Sequence, residues 1–134
     1  MLLWEQWKPV FDDKMPIYRQ ITLLFSRAFV RGDIQPGDRI PSIREMSSYL
    51  KVNTNTMQRS YQEMERDGLL NSKRGTGFFL TEDLSMKEKI GRKLALETLG
   101  RFMEEMRALG YADRVILSEL KLFMTQGGQN ESGS

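Results

Sequence analysis

Three amphipathic segments, followed at once by two short apolar segments around a glycine-rich tip, constrain the fold of this chain more than any other feature. In the first three segments apolar residues recur at steps of three and four, which is the period of an α-helix packed on one face. Helices are therefore predicted over 16–31, 41–50 and 53–67. Residues 69–72 and 78–80 predict two strands joined by Lys73-Arg74-Gly75-Thr76-Gly77, so the fold class is mainly α with a small β-hairpin.

Helix starts are marked by capping residues. Ser42 and Glu45 have the S-x-x-E spacing of a capping box, in which each side chain bonds the other's backbone N–H. Asn53 stands where the third helix needs an N-cap, and we expect it to cap the helix rather than contact a ligand. Ser85 and Glu88 repeat the capping-box spacing and predict the start of a fourth helix.

The third helix has two different faces. Met57, Tyr61 and Met64 form an apolar stripe, which we expect to be buried. The opposite face carries side chains that donate and accept hydrogen bonds: Thr54, Asn55, Gln58, Arg59 and Gln62. A helix with an apolar back and a hydrogen-bonding front is suited to reading a polar partner.

Positive charge is concentrated in the middle of the chain. The whole chain has 20 Lys and Arg against 18 Asp and Glu, a net charge of +2. Residues 14–80 have eleven cations and six acids, which gives +5, whereas 1–13 sum to −2 and 81–134 to −1. A cationic segment that coincides with the predicted helices and hairpin favours a polyanionic partner.

The chain contains no Cys and no His. Thiol nucleophiles, disulfides, thiolate metal sites and imidazole mechanisms are therefore excluded. The remaining enzymatic candidates are carboxylates such as Glu104 and Glu105, but neighbours on a helix point in different directions and are usually solvated. We expect a binding protein without cofactor or metal rather than an enzyme.

Three helices followed by a hairpin are the order of a winged helix-turn-helix, whose third helix enters a DNA major groove about 12 Å wide. Arg44, near the start of the second helix, can then reach a phosphate or an adjacent base, although an internal salt bridge to Glu45 or Glu63 is the alternative. Lys73 and Arg74 on the hairpin tip supply affinity that is independent of base sequence.

Several stretches carry a resemblance to a known family: 17–21, 32–38, 41–45, 52–56, and 68–70 with 74–79. In this order they resemble the DNA-binding domain of GntR-family bacterial transcription regulators. The run Asn53-Thr54-Asn55-Thr56 is also similar to the Asn-Pro-Asn-Thr of the YtrA subfamily. The resemblance implies a small dimeric repressor, often of a transporter operon, that binds a palindromic operator in double-stranded DNA.

The resemblance also assigns roles. Arg44 matches the family's DNA-contacting arginine, the start of the third helix matches the recognition helix, and Thr76 and Gly77 match the wing tip near the minor groove. Many family members have Arg at the positions of Thr54 and Gln58, so no family operator sequence is transferred. The candidate DNA-binding residues are Arg44, Thr54, Asn55, Thr56, Gln58, Arg59, Lys73, Arg74, Gly75, Thr76 and Gly77.

The chain after the hairpin predicts two helices whose apolar faces need a partner surface, and a second copy of the chain is the partner we expect. The candidate dimer-interface residues are Leu94, Leu99, Phe102, Met103, Met106, Leu120, Phe123 and Met124. The predicted organisation is an N-terminal arm over 1–15, the winged helix-turn-helix over 16–81, a two-helix dimerisation or effector region over 82–126 and a disordered tail over 127–134.

Some alternatives stay open at the level of sequence. A winged helix that binds a protein, without specific DNA binding, is the main rival function. An unidentified small-molecule effector would bind between the winged domain and the last two helices. Trp4 and Trp7 pack on the body of the protein or on a second subunit, and a role in ligand binding is the further alternative. No segment approaches the ~20 apolar residues of a membrane span, and we expect a cytoplasmic protein.

Overall fold

The computed structural model describes residues 3–127. They divide into two compact units, of which the first ends at Gly91 and the second begins at Arg92. Of the predicted disordered tail, all residues after Gly127 lie outside the described part of the chain, as do the first two residues of the predicted arm. The elements are α1 (Leu3–Gln6), α2 (Ile17–Arg31), β1 (Arg39–Ile40), α3 (Ile43–Leu50), α4 (Thr54–Arg66), β2 (Leu70–Lys73), β3 (Gly77–Leu80), α5 (Leu84–Ala108) and α6 (Asp113–Thr125).

The predicted winged helix-turn-helix is confirmed, with one strand more than the sequence indicated. The hairpin β2–β3 is joined by β1 on its other side, giving an antiparallel sheet of order β1-β3-β2. The chain turns at Gly37, whose φ of 82° favours glycine, and the Leu80 N–H then donates to the Asp38 carbonyl at 2.8 Å. A strand of two residues is too short to show alternation, so pattern alone does not predict it.

The core of the first unit lies between α2, α3, α4 and the sheet. The predicted apolar stripe of α4 is buried, together with the matching faces of α2 and α3. Buried side chains include Ile21, Phe25, Phe29, Met46, Leu50, Met57, Tyr61, Met64 and Leu80. This core fixes the orientation of α4, and with it the direction in which the polar face points.

The N-terminal arm contains the short helix α1, which the sequence did not predict. The Trp4 and Trp7 rings meet edge to face at 4.8 Å, and both contact Phe25 of α2 at 6.0 and 5.2 Å between centroids. Of the alternatives for these tryptophans, the structure shows packing on the body of the same chain. Such aromatic contacts add to the energy of area burial, so the arm is a part of the first unit.

The predicted start of α5 is wrong in detail. Asp83, not Ser85, provides the capping oxygen: Asp83 Oδ1 accepts from the Ser85 N–H at 3.0 Å and from its hydroxyl at 2.7 Å. The helix begins at Leu84, so Ser85 is already helical and its hydroxyl donates instead of capping. These hydrogen bonds from Ser85 also lower the pKa of the Asp83 carboxyl.

The second unit comprises the residues of α5 from Arg92 onward together with α6. Arg107 and Asp113 join the two helices across Gly110 through two parallel hydrogen bonds of 2.9 Å. The contact raises the pKa of Arg107 and lowers that of Asp113, as expected for a bidentate ion pair. Within residues 3–127 no helix is long and apolar enough to cross a membrane.

Candidate nucleic-acid interface

The turn between α3 and α4 sets the start of the recognition helix. Lys51 adopts a left-handed conformation with φ 56°, and its N–H closes α3 on the Ser47 carbonyl. Asn53 then caps α4, its Oδ1 accepting from the Asn55 N–H at 2.7 Å. The predicted capping role of Asn53 is confirmed, and its side-chain oxygen is committed to the helix.

The polar face of α4 points to solvent. Thr54, Asn55, Gln58, Arg59 and Gln62 are all exposed, whereas Met57, Tyr61 and Met64 on the opposite side are buried. Thr56 is half-buried and so offers less surface than its neighbours. The face predicted to contact a polar partner is therefore exposed to solvent, with Thr56 at its margin.

Arg44 lies exposed in the first turn of α3, beside a complete capping box. The Ser42 N–H donates to Glu45 Oε1 at 2.9 Å, and the Glu45 N–H donates to Ser42 Oγ at 3.1 Å. The contacts with Ser42 lower the pKa of the Glu45 carboxyl. Glu63 pairs instead with Arg66 at 3.2 Å, and nowhere in the described chain is a carboxylate oxygen within 4.0 Å of the Arg44 guanidinium. Neither internal salt bridge considered for Arg44 is formed.

Arg59 differs from the other side chains of this face because it contacts a neighbouring helix. Its guanidinium carbon lies 4.0 Å from the centroid of the Tyr18 ring, and Nη2 donates to the Tyr18 hydroxyl at 3.2 Å. Tyr18 is half-buried near the start of α2. The contact holds one face of the Arg59 guanidinium against the protein.

The wing tip is a tight turn closed by Thr76. The Thr76 N–H and hydroxyl both donate to the Lys73 carbonyl, at 2.9 and 3.0 Å. Gly75 and Gly77 have φ of 80° and 117°, which L side chains rarely adopt. The two glycines therefore allow the turn, while the Thr76 hydroxyl hydrogen is used within it.

Cations surround the wing. Lys73 Nζ lies 4.6 Å from the Phe79 ring centroid, and Arg39 of β1 lies against Gly77, its Nε 3.6 Å from where a Cβ would stand. A shallow cavity of about 640 Å³ is lined by Arg39, Ser72, Lys73, Arg74, Gly75, Thr76, Gly77 and Phe78.

Arg39 is the residue that sequence reasoning missed. The sequence signal for Arg39 was the Arg39-Ile40 pair that follows a Pro-Gly turn. Successive side chains of a strand point to opposite faces of the sheet, so a buried Ile40 leaves Arg39 on the exposed face.

The candidate dimer residues lie on α5 and α6 of the second unit. Leu99, Phe123 and Met124 are 52%, 55% and 67% exposed, and Leu94, Phe102, Met103, Met106 and Leu120 are half-buried. Among the described residues of this unit, Ile116 is the one hydrophobic residue that is buried.

Between residues 3 and 127, no three or more His, Cys, Asp or Glu side chains lie together in a group that could hold a metal ion.

Residues 17–80, which span α2 to the end of the wing, match the family described as bacterial regulatory proteins, gntR family. The chain is 41% identical over 118 residues to the uncharacterized HTH-type transcriptional regulator YhcF of Bacillus subtilis (strain 168), covering 88% of this chain and 97% of that protein. It is 37% identical over 68 residues to the HTH-type transcriptional repressor YtrA of the same organism, covering 51% of this chain and 52% of YtrA.

The fold is also similar to that of a solved GntR family transcriptional regulator from Listeria monocytogenes. The TM-score is 0.76 at 37% sequence identity, and the similarity covers 83% of this chain and 97% of the other. The likeness therefore extends beyond the winged helix-turn-helix.

Proposed function

Because the chain belongs to the gntR family of bacterial regulatory proteins, a family of transcriptional regulators with a DNA-binding domain, we propose that it is a sequence-specific repressor that binds a palindromic operator as a homodimer. The observation that carries this proposal is the exposed polar face of α4, set by the core beneath it and flanked by a cationic wing. The roles of the individual residues in this proposal follow from where their side chains lie.

Base recognition is assigned to Thr54, Asn55 and Gln58 of α4 and to Arg44. Gln58 lies near the middle of the exposed face and can form a bidentate contact with an adenine edge, worth about 1–3 kcal/mol of discrimination. Thr54 and Asn55 stand at the helix N-terminus, the part that meets base edges in helix-turn-helix complexes. Arg44 has a free guanidinium for a phosphate or an adjacent base.

Phosphate binding is assigned to the wing. Lys73, Arg74 and Arg39 surround one shallow cavity, and each lacks a carboxylate partner within 4.0 Å in the described chain. Cations of this kind release condensed counterions from DNA and give affinity without base preference. Gly75, Thr76 and Gly77 bring the backbone of the tip close to the sugar-phosphate strand.

Dimerisation is assigned to the second unit. The predicted interface residues are exposed or half-buried within one chain, and α5 and α6 together expose large apolar side chains that a second copy would cover. A two-fold dimer also places two recognition helices about 34 Å apart, one DNA turn. The palindromic operator follows from this symmetry.

Repression is supported by the similarity to the HTH-type transcriptional repressor YtrA, which is 37% identical to this chain over 68 residues. Control of a transporter operon rests on the resemblance to the YtrA subfamily alone. We place the protein in the cytoplasm, where bacterial DNA lies, and assign it no enzymatic activity.

The proposal is tested with DNA fragments that the purified protein enriches from genomic DNA. Fluorescence anisotropy would compare an enriched fragment with a scrambled duplex at several salt concentrations. Arg44→Ala and Gln58→Ala should weaken binding to the enriched fragment more than to the scrambled duplex. Lys73→Ala should weaken both equally and reduce the salt dependence by about one phosphate contact.

Arg66→Ala is the matched control for these variants, since Arg66 also lies on α4 but pairs with Glu63. Unchanged affinity for both Arg44→Ala and Gln58→Ala would contradict the assignment of α4 and α3 to base recognition. Failure of the wild-type protein to retain any duplex at low salt would favour the rival function, a winged helix that binds another protein.

A further inference from the structure

The contact between Tyr18 and Arg59 joins the first helix of the winged domain to the recognition helix. The Arg59 guanidinium carbon lies 4.0 Å from the centroid of the Tyr18 ring, and Nη2 donates to the Tyr18 hydroxyl at 3.2 Å. The two residues are 41 positions apart in sequence, so only the folded chain brings them together. This is a cation–π contact with an added hydrogen bond.

A chain of hydroxyl groups fixes the helices beneath this contact. Thr22 Oγ1 donates to the Tyr18 carbonyl at 2.9 Å and lies 3.2 Å from Ser60 Oγ. Because the single Thr22 hydroxyl hydrogen is used toward Tyr18, Ser60 must be the donor in the second contact. Ser60 is buried and adjacent to Arg59, so the backbone positions of Tyr18 and Arg59 are held relative to each other.

We propose that Tyr18 is a positioning residue that holds Arg59 for a DNA phosphate, so that Arg59 binds the backbone and does not read a base. The inference rests on the proposed function. Arg59 has five N–H donors, and the contact uses one of them, which leaves a planar set of donors for a phosphate oxygen pair. The contact with Tyr18 draws the Arg59 guanidinium toward α2, the helix that carries Tyr18.

The contact with Tyr18 also reduces the side-chain entropy that Arg59 loses when DNA binds. A free arginine side chain must be immobilised when it meets a phosphate, and the entropy that the side chain loses opposes binding. Tyr18 already restricts the Arg59 side chain in the unbound protein, so part of this entropy is lost during folding and not on DNA binding. Removing the ring should therefore weaken DNA binding only while Arg59 is present.

A double-mutant cycle tests this coupling. Dissociation constants are measured by anisotropy for an enriched fragment and a scrambled duplex, at several salt concentrations, with Tyr18→Leu, Tyr18→Phe, Arg59→Ala and Tyr18→Leu/Arg59→Ala. Arg59→Ala should weaken both duplexes by the same factor and lower the slope of log affinity against log salt by about 0.9. Tyr18→Leu should weaken binding about two- to fivefold in the wild-type background and not in the Arg59→Ala background.

Tyr18→Phe keeps the ring and loses only the hydrogen bond, so its effect should be smaller than that of Tyr18→Leu. It also serves as the informative variant if Tyr18→Leu does not fold, with urea midpoints checked for every protein. A loss by Arg59→Ala that is confined to the enriched fragment would overturn the phosphate assignment. An equal loss from the Tyr18 substitution in both backgrounds would overturn the positioning role. If the wild-type protein binds neither duplex, the proposed function itself fails.

Discussion

The Tyr61 hydroxyl on α4 donates a 2.6 Å hydrogen bond to the carbonyl of Pro41, the residue before the α3 cap. The same ring meets Phe25 of α2 and Phe78 of β3 edge to face, with centroids 6.1 and 4.8 Å apart. Burial raises the pKa of Tyr61, so the phenol stays protonated and continues to donate. One buried side chain thus links the recognition helix to α2, to the entry of α3 and to the wing.

Tyr61→Phe should lower the free energy of unfolding by about 1 kcal/mol, because the Pro41 carbonyl loses its donor while the ring packing remains. Urea unfolding followed by circular dichroism measures the change. Tyr111→Phe is the matched control, since Tyr111 is exposed at the surface of the second unit. A Tyr61→Phe midpoint equal to that of the wild-type protein would contradict the role of this hydrogen bond.

Glu45 should make the start of α3 sensitive to acid. Its pKa is lowered in the folded protein, so its contribution to stability is full above the unfolded pKa of about 4.3 and is lost as pH falls through the folded value. Gln at this position keeps the capping contact but does not titrate. The difference in unfolding free energy between wild type and Glu45→Gln should therefore shrink between about pH 7 and pH 3. A difference that stays constant over this range would rule out the titration of Glu45 as its cause.

The two wing glycines should tolerate substitution differently. Gly77 has φ 117°, far from the left-handed helical region, and Ala there should cost about 1–3 kcal/mol of stability. Gly75 has φ 80° with open space around its missing Cβ, so Gly75→Ala should cost about 1 kcal/mol. Urea midpoints of the two variants compare them directly, and a larger loss for Gly75→Ala would contradict this account of the tip.

A charge in the proposed dimer interface should separate the subunits. Phe123→Glu places a carboxylate among the apolar side chains of α6, and sedimentation velocity at micromolar concentration should show a monomer where the wild-type protein is a dimer. Leu109→Glu is the control, because Leu109 is 72% exposed and is not among the predicted interface residues. A wild-type protein that sediments as a stable monomer would refute the interface.

Local patterns in the sequence predicted what local physics determines. The two faces of α4, the Ser42–Glu45 capping box and the Asn53 cap each depend on residues within a few positions of one another. The same rule failed at Ser85, because Asp83 two residues earlier supplies a better acceptor for the free N–H groups. Spacing identifies a set of possible caps, and only the backbone geometry selects one.

Contacts between distant residues could not be predicted in this way. Arg39 reaches the wing because β1 pairs with β3, a pairing of two residues that leaves no periodic trace. The contact of Arg59 with Tyr18 forms because α2 and α4 pack against each other in one particular arrangement. The sequence thus predicted a set of candidate DNA-binding residues, which stays a prediction, and the structure added Arg39 to it as well as the restraint on Arg59.

Selection from a pool of randomised duplex DNA tests the central claim, that the exposed face of α4 reads sequence, most directly. The wild-type protein should enrich a two-fold symmetric motif whose half-sites are centred about one helical turn apart. Gln58→Ala should enrich a motif of the same symmetry with relaxed preference at one base pair in each half-site. A wild-type protein that enriches no motif, or a Gln58→Ala variant whose motif is identical at every position, would contradict the account.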